Sequence, residues 1–332
     1  MNPMIAQALR KRSLPGHIRP FNPVRDLGAL AGLIEEAFRE ELAITGSSIV
    51  RDMRQMAFLG PLLWATRPVM PFSAGYVWIE KGRLVGNVSL NQEAEHPFTW
   101  VLSNVAVSPE FRGRGIAGQL LDVAITHVRR NRGQRILLQV RADNHVALAL
   151  YRHRGFVTFD TLHELNLATH NWPLILGPTK APLRRVGLRD GQRLYQLVVA
   201  STPREVLLRR PLRSRDFRRG PWWRLGQGFQ LAFNGQQLFE LVVEQQGELV
   251  AYGSIKAHLF QGPHELALYV LPGQRGRWES PLVEGLINLI QGMPRYDLRA
   301  YISASHPEGL RALGQLGFET LRVLEQMSLE LA

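Results

Sequence analysis

The chain of 332 residues contains an internal repeat, and this feature restricts the folds open to it more than any other. Three short segments recur in the same order about 163 residues downstream. The segments Val107-Ser-Pro-Glu-Phe-Arg-Gly-Arg114, Arg154-Gly155-Phe156 and Gly82-Arg83-Leu84-Val85 return as Val270-Leu-Pro-Gly-Gln-Arg-Gly-Arg277, Leu316-Gly317-Phe318 and Gly247-Glu248-Leu249-Val250. Matches at nearly constant spacing predict a duplicated domain.

The two predicted domains are joined by a segment of breaker residues. Residues 170–182 contain Pro173, Gly177, Pro178 and Pro182, which is typical of a linker. We therefore predict a first domain over residues 1–167, a linker over 168–182 and a second domain over 183–332. The length of the chain suits two domains of ordinary size.

Composition excludes several classes of protein. The chain has no cysteine, which rules out disulfides, thiolate catalysis and Cys-ligated metals. Its ten histidines form no HExxH motif and no close pair, so no metal site is expected. The first apolar patch, Met4 to Leu9, is short and is followed by basic residues, unlike a signal peptide. With no apolar run of about 18 residues, we predict a soluble, cytoplasmic protein without a membrane partner, and its oligomeric state stays open.

The formal net charge is +12, which favours anionic ligands. The densest basic segment, Arg204 to Arg224, has eight arginines together with Trp222 and Trp223. Interleaved basic and aromatic residues can bind nucleic acid, but a solvated helix and loop over packed tryptophans is the favoured interpretation. Nucleic acid is therefore not an expected partner.

Hydrophobic periodicity in the first half alternates between the strand and the helix pattern. Helices are predicted over residues 26–42, 113–132 and 144–154. Strands are predicted over 17–21, 76–79, 84–90, 99–107 and 136–140, with a final strand pair over 157–167. The fold class is therefore α/β (α+β).

An Arg/Gly loop lies between the predicted strand 99–107 and the helix that follows. Gly113, Gly115, Ala117 and Gly118 are small residues that let a ligand approach the backbone, and Arg112 and Arg114 add positive charge. Helix N-termini carry unpaired N–H groups and a positive dipole end. The loop and the first helical turn thus predict a pyrophosphate cradle, with a plain strand–helix turn as the alternative.

A second motif lies downstream, where Asn144 and Tyr151 are seven residues apart on one predicted helix that ends at Gly155-Phe156. The order of strand, Arg-x-x-Gly-x-Ala loop, helix, strand, Asn-x-x-Ala-x-x-Leu-Tyr and Gly-Phe resembles the GNAT superfamily of N-acetyltransferases. The resemblance covers residues 17 to about 167 and is sharpest over 101–156. It implies two tandem acyl-CoA N-acyltransferase (GNAT) folds, each a mixed, mostly antiparallel sheet with helices on both faces.

The resemblance also implies a site for acetyl-CoA as co-substrate. A bulged strand splays from its neighbour and pairs with the pantetheine arm, the loop and helix start hold the pyrophosphate, and an asparagine contacts the cofactor. The residues at these positions are Val105, Ala106, Val107, Arg112, Gly113, Arg114, Gly115, Ile116, Ala117, Gly118 and Asn144. Tyr151 matches the usual proton donor to the thiolate, a role that the phenol's chemistry permits.

The general base is not assigned by sequence. Some relatives, such as the ribosomal-protein alanine acetyltransferases, carry a glutamate where this chain has Gln139. His163, Glu164, Glu40 or a water chain are the alternatives, and attack by an amine that is already neutral is another. The apolar stretch containing Phe58, Leu62, Trp64, Met70 and Phe72 lies where the family's acceptor site is bounded.

The second half resembles a GNAT domain that has lost its site. Trp278 and Ser280 stand where the first half has Gly115 and Ala117, and His306 and Leu313 stand where it has Asn144 and Tyr151. We therefore predict one working and one degenerate half, an architecture that mycothiol synthase shares. The predicted function is N-acetyl transfer to an amine of a small molecule, peptide or protein. The competing hypothesis is a non-catalytic acyl-CoA-binding or nucleic-acid-associated module.

Overall fold

The computed structural model describes residues 16–40, 42, 74–173, 181–218 and 235–331. These residues form two compact units that interleave along the chain. The first unit takes its described residues from Met1–Leu138, Leu150–Phe156 and Ser328–Ala332. The second takes them from Gln139–Ala149 and Val157–Met327. The domain limits at residues 167 and 183 stay a prediction. They were drawn from repeated sequence segments, whereas the compact units are defined by which residues lie close together in space.

The first part of the chain builds a five-stranded arrangement with helices. In chain order the elements are β1 (His17–Pro20), α1 (Pro23–Ala37), β2 (Ala74–Glu80), β3 (Arg83–Gln92), β4 (Thr99–Val107), α2 (Ile116–Arg130), β5 (Arg135–Arg141) and α3 (His145–Arg152). Strands β1 to β4 pair antiparallel in sequence order, and β5 runs parallel to β4. This confirms the predicted mixed, mostly antiparallel sheet.

Local chemistry explains where the helices begin. Helix α1 starts three residues earlier than predicted because Asn22 Oδ1 accepts hydrogen bonds from the amides of Val24 and Arg25, and Pro23 occupies the first helical position. Helix α2 starts three residues later than predicted, because Gly113 and Gly115 have φ values of 74° and 78°. That left-handed backbone lies outside the helical region.

Helices α1 and α2 cover opposite faces of the first sheet. Ala106 of β4 packs in a core cluster with the apolar side of α1. Gly86 of β3 lies so close to α2 that an added Cβ would come within 2.9 Å of Ile116 Cγ2. Because Gly86 is paired with Val107, it lies on the face opposite that of Ala106. The strand β4 that carries the predicted site is therefore held from both sides.

The last residues of the chain belong to the first unit. The amide of Leu331 donates to Gln134 O at 2.7 Å, and Arg135 Nε pairs with Glu330 Oε1 at 2.7 Å. The C-terminal end therefore lies beside the start of β5, which no local pattern in the sequence indicated.

The second unit repeats the same order of elements. It contains β6 (Val157–Leu167), β7 (Leu183–Arg185), α4 (Gly191–Ser201), α5 (Arg204–Arg209), β8 (Gln236–Gln245), β9 (Glu248–His258), β10 (His264–Val270), α6 (Glu279–Leu289), β11 (Leu298–Ser303), α7 (Pro307–Gln315) and most of β12 (Glu319–Glu330). Strands β7 to β10 pair antiparallel, β11 runs parallel to β10, and β6 pairs antiparallel with β11. The predicted strand pair over 157–167 is wrong, because these residues form one continuous strand that has no turn residue to break it.

Equivalent contacts in the two units support duplication more strongly than the motifs do. Gly253 of β9 lies against α6, where an added Cβ would meet Leu286 Cδ1 at 2.8 Å, as Gly86 lies against α2. Arg184 makes a paired contact with Asp190 at the start of α4, as Arg19 does with Asp26 in α1. No helix in the described part of the chain has the length and apolar character needed to cross a bilayer.

Candidate functional site

Strand β4 contains a bulge at the position where the resemblance places one. The β3–β4 register runs Gly86↔Val107 and Asn87↔Ala106 and then resumes at Ser89↔Ser103, so β4 has one residue more than β3. Asn104 lies in the bulge and has a left-handed backbone, with a φ of 50°. The side chain of Asn87, only 1% exposed, donates from Nδ2 to Asn104 O at 2.9 Å and thereby holds the bulge.

Beyond the bulge, β4 is not accompanied by its parallel neighbour. The ladder with β5 pairs Thr99, Trp100 and Val101 with Arg135, Ile136 and Leu137 and ends there. Strand β4 continues to Val107. Val105 to Val107 therefore have no β5 partner, and their backbone groups on that side can pair with an extended ligand that carries amides.

The loop after β4 turns sharply into α2 through its two left-handed glycines. Pro109–Phe111 forms one turn of 3₁₀ helix, and Gly115 is the N-cap residue of α2. An added Cβ at Gly113 or Gly115 would meet no atom of the described residues within 4 Å. The approach to the helix start is unobstructed there, as a phosphate cradle requires.

The amides of this turn have no hydrogen-bond acceptor among the residues that the structure describes. Gln119 N, which donates to Gly115 O at 3.1 Å, is the first amide of α2 with an acceptor. Among the residues that the structure describes, none accepts from the amides of Gly113 and Gly115 to Gly118. The positive end of the α2 dipole adds to their attraction for an anion.

The two loop arginines are engaged in holding the loop. Arg112 donates to Val107 O and to Ala37 O, the last carbonyl of α1. Arg114 donates to Glu110 O, lies 3.6 Å from Glu80 Oε1 and stacks on Phe111. Both residues are exposed, so they also contribute positive charge at the cradle.

Helix α3 carries the other two predicted residues. Asn144 caps the helix, because its Oδ1 accepts from Ala147 N at 3.1 Å, and its side chain is otherwise exposed. Tyr151 is 6% exposed, and its ring packs edge-on against Phe156. The Tyr151 hydroxyl has no hydrogen-bond partner among the described residues. Burial raises the pKa of Tyr151 to about 12, so the phenol keeps its proton at neutral pH.

One side chain at the cradle was missed by sequence reasoning. Arg154 forms a two-pronged pair with Asp122 of α2, at 2.7 and 3.2 Å, and donates to Leu150 O of α3. It crosses α2 at Gly118, where an added Cβ would come within 2.6 Å of Arg154 Nη2. The small residue at 118 therefore accommodates this arginine. The two partners are 32 residues apart, so no local pattern signals their contact.

The structure narrows the list of possible bases. Glu164 is fully buried, and its oxygens are occupied by Arg322, Arg299 and Tyr301. Because it is buried and already engaged by two arginines and a tyrosine, it is poorly placed to receive a proton from an amine. Gln139 is exposed on β5, and His163 lies on β6 opposite Ile302. The apolar stretch from Phe58 to Phe72 lies outside the described residues.

The arginine-rich segment is only partly described. Arg209 pairs with Glu205 and lies over the ring of Phe159, and Arg215 lies 3.8 Å from Asp216. Local acidic and aromatic neighbours thus engage two of its arginines. Trp222 and Trp223 lie outside the described residues, so their predicted packing stays a prediction.

A bulged strand followed by an open helix N-terminus in a mostly antiparallel sheet is the arrangement of an acyl-CoA N-acyltransferase fold, and the order of strands and helices, without the bulge, returns in the second unit. Residues 47–156 match the model of the Acetyltransferase (GNAT) family. The N-alpha-acetyltransferase RimI of Mycobacterium tuberculosis is 38% identical over 76 residues, which cover 23% of this chain and 46% of that protein. The chain thus spans about half the length of this curated relative.

Solved structures extend the likeness over nearly the whole chain. A GCN5-related N-acetyltransferase from Sphaerobacter thermophilus is 16% identical with a TM-score of 0.62, covering 96% of this chain and 97% of that one. A tandem GNAT protein from the clavulanic acid biosynthesis pathway is 15% identical with a TM-score of 0.60, covering 95% and 98%. These likenesses show that nearly the whole chain has the fold of these proteins, and the GNAT family model matches residues 47–156 of the first half.

Proposed function

We propose that this protein transfers an acetyl or acyl group from acetyl-CoA directly to an amine, and that the first unit carries the cofactor site. The observation that carries the proposal is the open N-terminus of α2. The amides of Gly113 and Gly115 to Gly118, which have no acceptor among the described residues, lie at the end of the bulged strand β4. A diphosphate matches this positive site, since it is anionic and rich in hydrogen-bond acceptors.

Residues of β4, of the loop that follows it and of the helix starts would each bind a different part of the cofactor. The backbone of Val105, Ala106 and Val107 would pair with the amides of the pantetheine arm. Gly113 to Gly118 would hold the pyrophosphate, with Arg112 and Arg114 adding charge. Asn144, whose Nδ2 is not used by the cap, is proposed as a further contact to the cofactor.

Tyr151 is proposed as the general acid. The amine nitrogen attacks the thioester carbonyl, a C–N bond forms, the C–S bond breaks, and the thiolate takes the phenolic proton. The proton released by the amine restores the phenol. A buried tyrosine that stays protonated suits this role, because only the protonated form can donate. The general base is left unassigned, and Glu164 is not proposed for it.

The acceptor is proposed only as an amine. The RimI relative is by its name an N-alpha-acetyltransferase, which favours a peptide or protein N-terminus as the first candidate. A small-molecule amine remains the other candidate, since only part of the acceptor region is described.

Thiol release from acetyl-CoA tests the activity directly. A panel would contain a peptide with a free N-terminus, the same peptide with a blocked N-terminus and several small amines. We expect thiol release that depends on a free amine and yields the acetylated amine by mass spectrometry. Acetyl-CoA binding without release across the panel would favour the non-catalytic alternative.

The pH profile tests the protonation state of Tyr151. An ordinary tyrosine, with a pKa of about 10, is half deprotonated at pH 10. Because burial raises the pKa of Tyr151 to about 12, we expect kcat at saturating substrates to show no loss attributable to this residue up to pH 10. An alkaline limb with an apparent pKa near 9 that disappears in a Tyr151→Phe variant would contradict this expectation.

Binding stoichiometry tests the assignment of the site to one unit. We expect one acetyl-CoA per chain by isothermal titration calorimetry, because Trp278 and Leu313 stand at the places of Gly115 and Tyr151 in the second unit. The full chain is used, since the first unit includes Ser328–Ala332. Two equivalent sites per chain would show that the second unit also binds the cofactor.

A further inference from the structure

The second unit has a buried carboxylate at the position that corresponds to the phosphate cradle. Glu279 Oε1 accepts from the amide of Gly276 at 3.0 Å, and Oε2 accepts from the amide of Trp278 at 3.1 Å. The side chain is 1% exposed. A carboxylate thus binds the amides at the start of α6, where helix geometry favours an anion.

The helix starts at the corresponding residue in the two halves of the sequence, although Gly115 has a left-handed backbone and Trp278 a right-handed one. Helix α6 begins at Glu279 with Trp278 as its N-cap residue, as α2 begins at Ile116 with Gly115 as its N-cap residue. Ile116 is apolar and leaves the neighbouring amides unpaired. Glutamate in place of isoleucine at the first helical position therefore distinguishes the occupied start of α6 from the open start of α2.

The Glu279 carboxylate is held by a second buried group. His306 Nε2 lies 2.8 Å from Glu279 Oε1, and His306 is 6% exposed. His306 stands at the N-cap of α7, the position that Asn144 occupies before α3 in the first half of the sequence. Burial alone would raise the pKa of Glu279, but hydrogen bonds from His306 and the Gly276 amide outweigh it and lower that pKa. The group is therefore an anion at neutral pH.

The loop that precedes α6 is also held by hydrogen bonds. Arg275 donates to Ser305 O at 2.7 Å and to Ser201 O at 3.3 Å, the latter being the last residue of α4. The indole of Trp278 donates to Gln274 Oε1 at 3.2 Å and lies under Arg277. These hydrogen bonds hold the loop and the start of α6 within the second unit.

We propose that the second unit has kept the anion-binding helix start of a GNAT domain but supplies the anion itself, with the Glu279 carboxylate in the phosphate position and His306 as its clamp. Acetyl-CoA is therefore excluded from the second unit because the Glu279 carboxylate already occupies the helix start, and not because of the bulk of Trp278 alone. This role is independent of acetyl transfer in the first unit.

Chemical rescue in the full chain tests the proposal. Glu279→Ala removes the carboxylate and leaves two amides and His306 unpaired. We expect the amides of residues 276–286 to lose protection against hydrogen exchange, and the unfolding midpoint of the second unit to fall by about 5 °C. Formate, which has the size and charge of the missing group, is expected to restore both in Glu279→Ala, while the same concentration of chloride does not.

Glu308→Ala is the matched control, because Glu308 also lies in the first turn of a helix but is partly exposed and lies 3.9 Å from its partner Arg311. We expect a smaller loss of protection and no response to formate. The proposal is overturned if Glu279→Ala is as mild as the control, or if formate acts equally on both variants and on the unaltered chain.

A Trp278→Gly variant separates the carboxylate from the indole as the cause of closure. With Glu279 in place, we expect calorimetry to find no second acetyl-CoA site, whereas a second site in Trp278→Gly would overturn the role of the carboxylate. A chain that binds no acetyl-CoA at all would refute the proposed function of the first unit. The formate experiment would still decide the role of Glu279.

Discussion

Replacing Tyr151 with phenylalanine is expected to lower kcat by about 10–1000-fold while the affinity for acetyl-CoA changes little. The hydroxyl is the only group removed, and the ring keeps its contact with Phe156. A proton donated to the departing thiolate lowers the energy of the transition state far more than that of the bound ground state. The loss therefore falls on kcat, as steady-state kinetics with a defined amine would measure.

Tyr269→Phe provides the control for the loss of a buried tyrosine hydroxyl. Tyr269 lies in the second unit, stacked on Tyr252, and burial raises the pKa of its phenol. We expect this variant to keep full activity. An unchanged kcat in Tyr151→Phe, measured where the chemical step limits the rate, would remove Tyr151 from the mechanism.

Replacing Gly115 with tryptophan is expected to reduce acetyl-CoA binding by at least about 100-fold, which corresponds to the loss of about 3 kcal/mol. The new side chain would project into the open space at the N-terminus of α2, because a Cβ there meets nothing within 4 Å. It would occupy the place of the pyrophosphate without a clash inside the protein. Titration calorimetry on the folded variant measures the effect.

Gly82→Trp shares the backbone cost of this substitution. Gly82 has a φ of 77° and open surroundings, and it lies in the turn between β2 and β3. A non-glycine residue in the left-handed region costs about 1–3 kcal/mol at either position. We expect both variants to show similar losses of stability and only Gly115→Trp to lose the cofactor. Native affinity in a folded Gly115→Trp variant would show that the cofactor does not lie against this helix start.

The two units share one loop contact and differ in the residues around the helix start. The loop arginine has kept its structural contact in both copies, since Arg112 reaches Ala37 O and Arg275 reaches Ser201 O at the ends of α1 and α4. The residues around the helix start have diverged, from Gly115 and Ile116 to Trp278 and Glu279. An arginine that ties the loop to a helix end stabilises the fold whether or not a ligand is bound.

Much of the fold could be predicted from the sequence because the relevant signals are local. The bounds of β4 follow from its apolar pattern, and the β2–β3 hairpin follows from its turn residues. The motif around Gly113 and Gly115 placed the helix start to within three residues, since glycine is the residue that enters the left-handed region freely. The duplication was visible in the same way, as repeated short segments.

Tertiary structure alone decided the features that depend on distant partners. A strand pattern specifies which side chains face the core but not which strand lies alongside, so the partner of β6 and the position of the chain end beside Gln134 were not predictable. The hydrogen bond from Asn87 to Asn104 O joins β3 to β4 at the bulge. The ion pair of Arg154 with Asp122 joins the segment after α3 to α2. The sequence by itself shows that Trp278 stands in the second half where Gly115 stands in the first. That the neighbouring Glu279 fills the cradle became evident only when folding brought the carboxylate, the helix amides and His306 together.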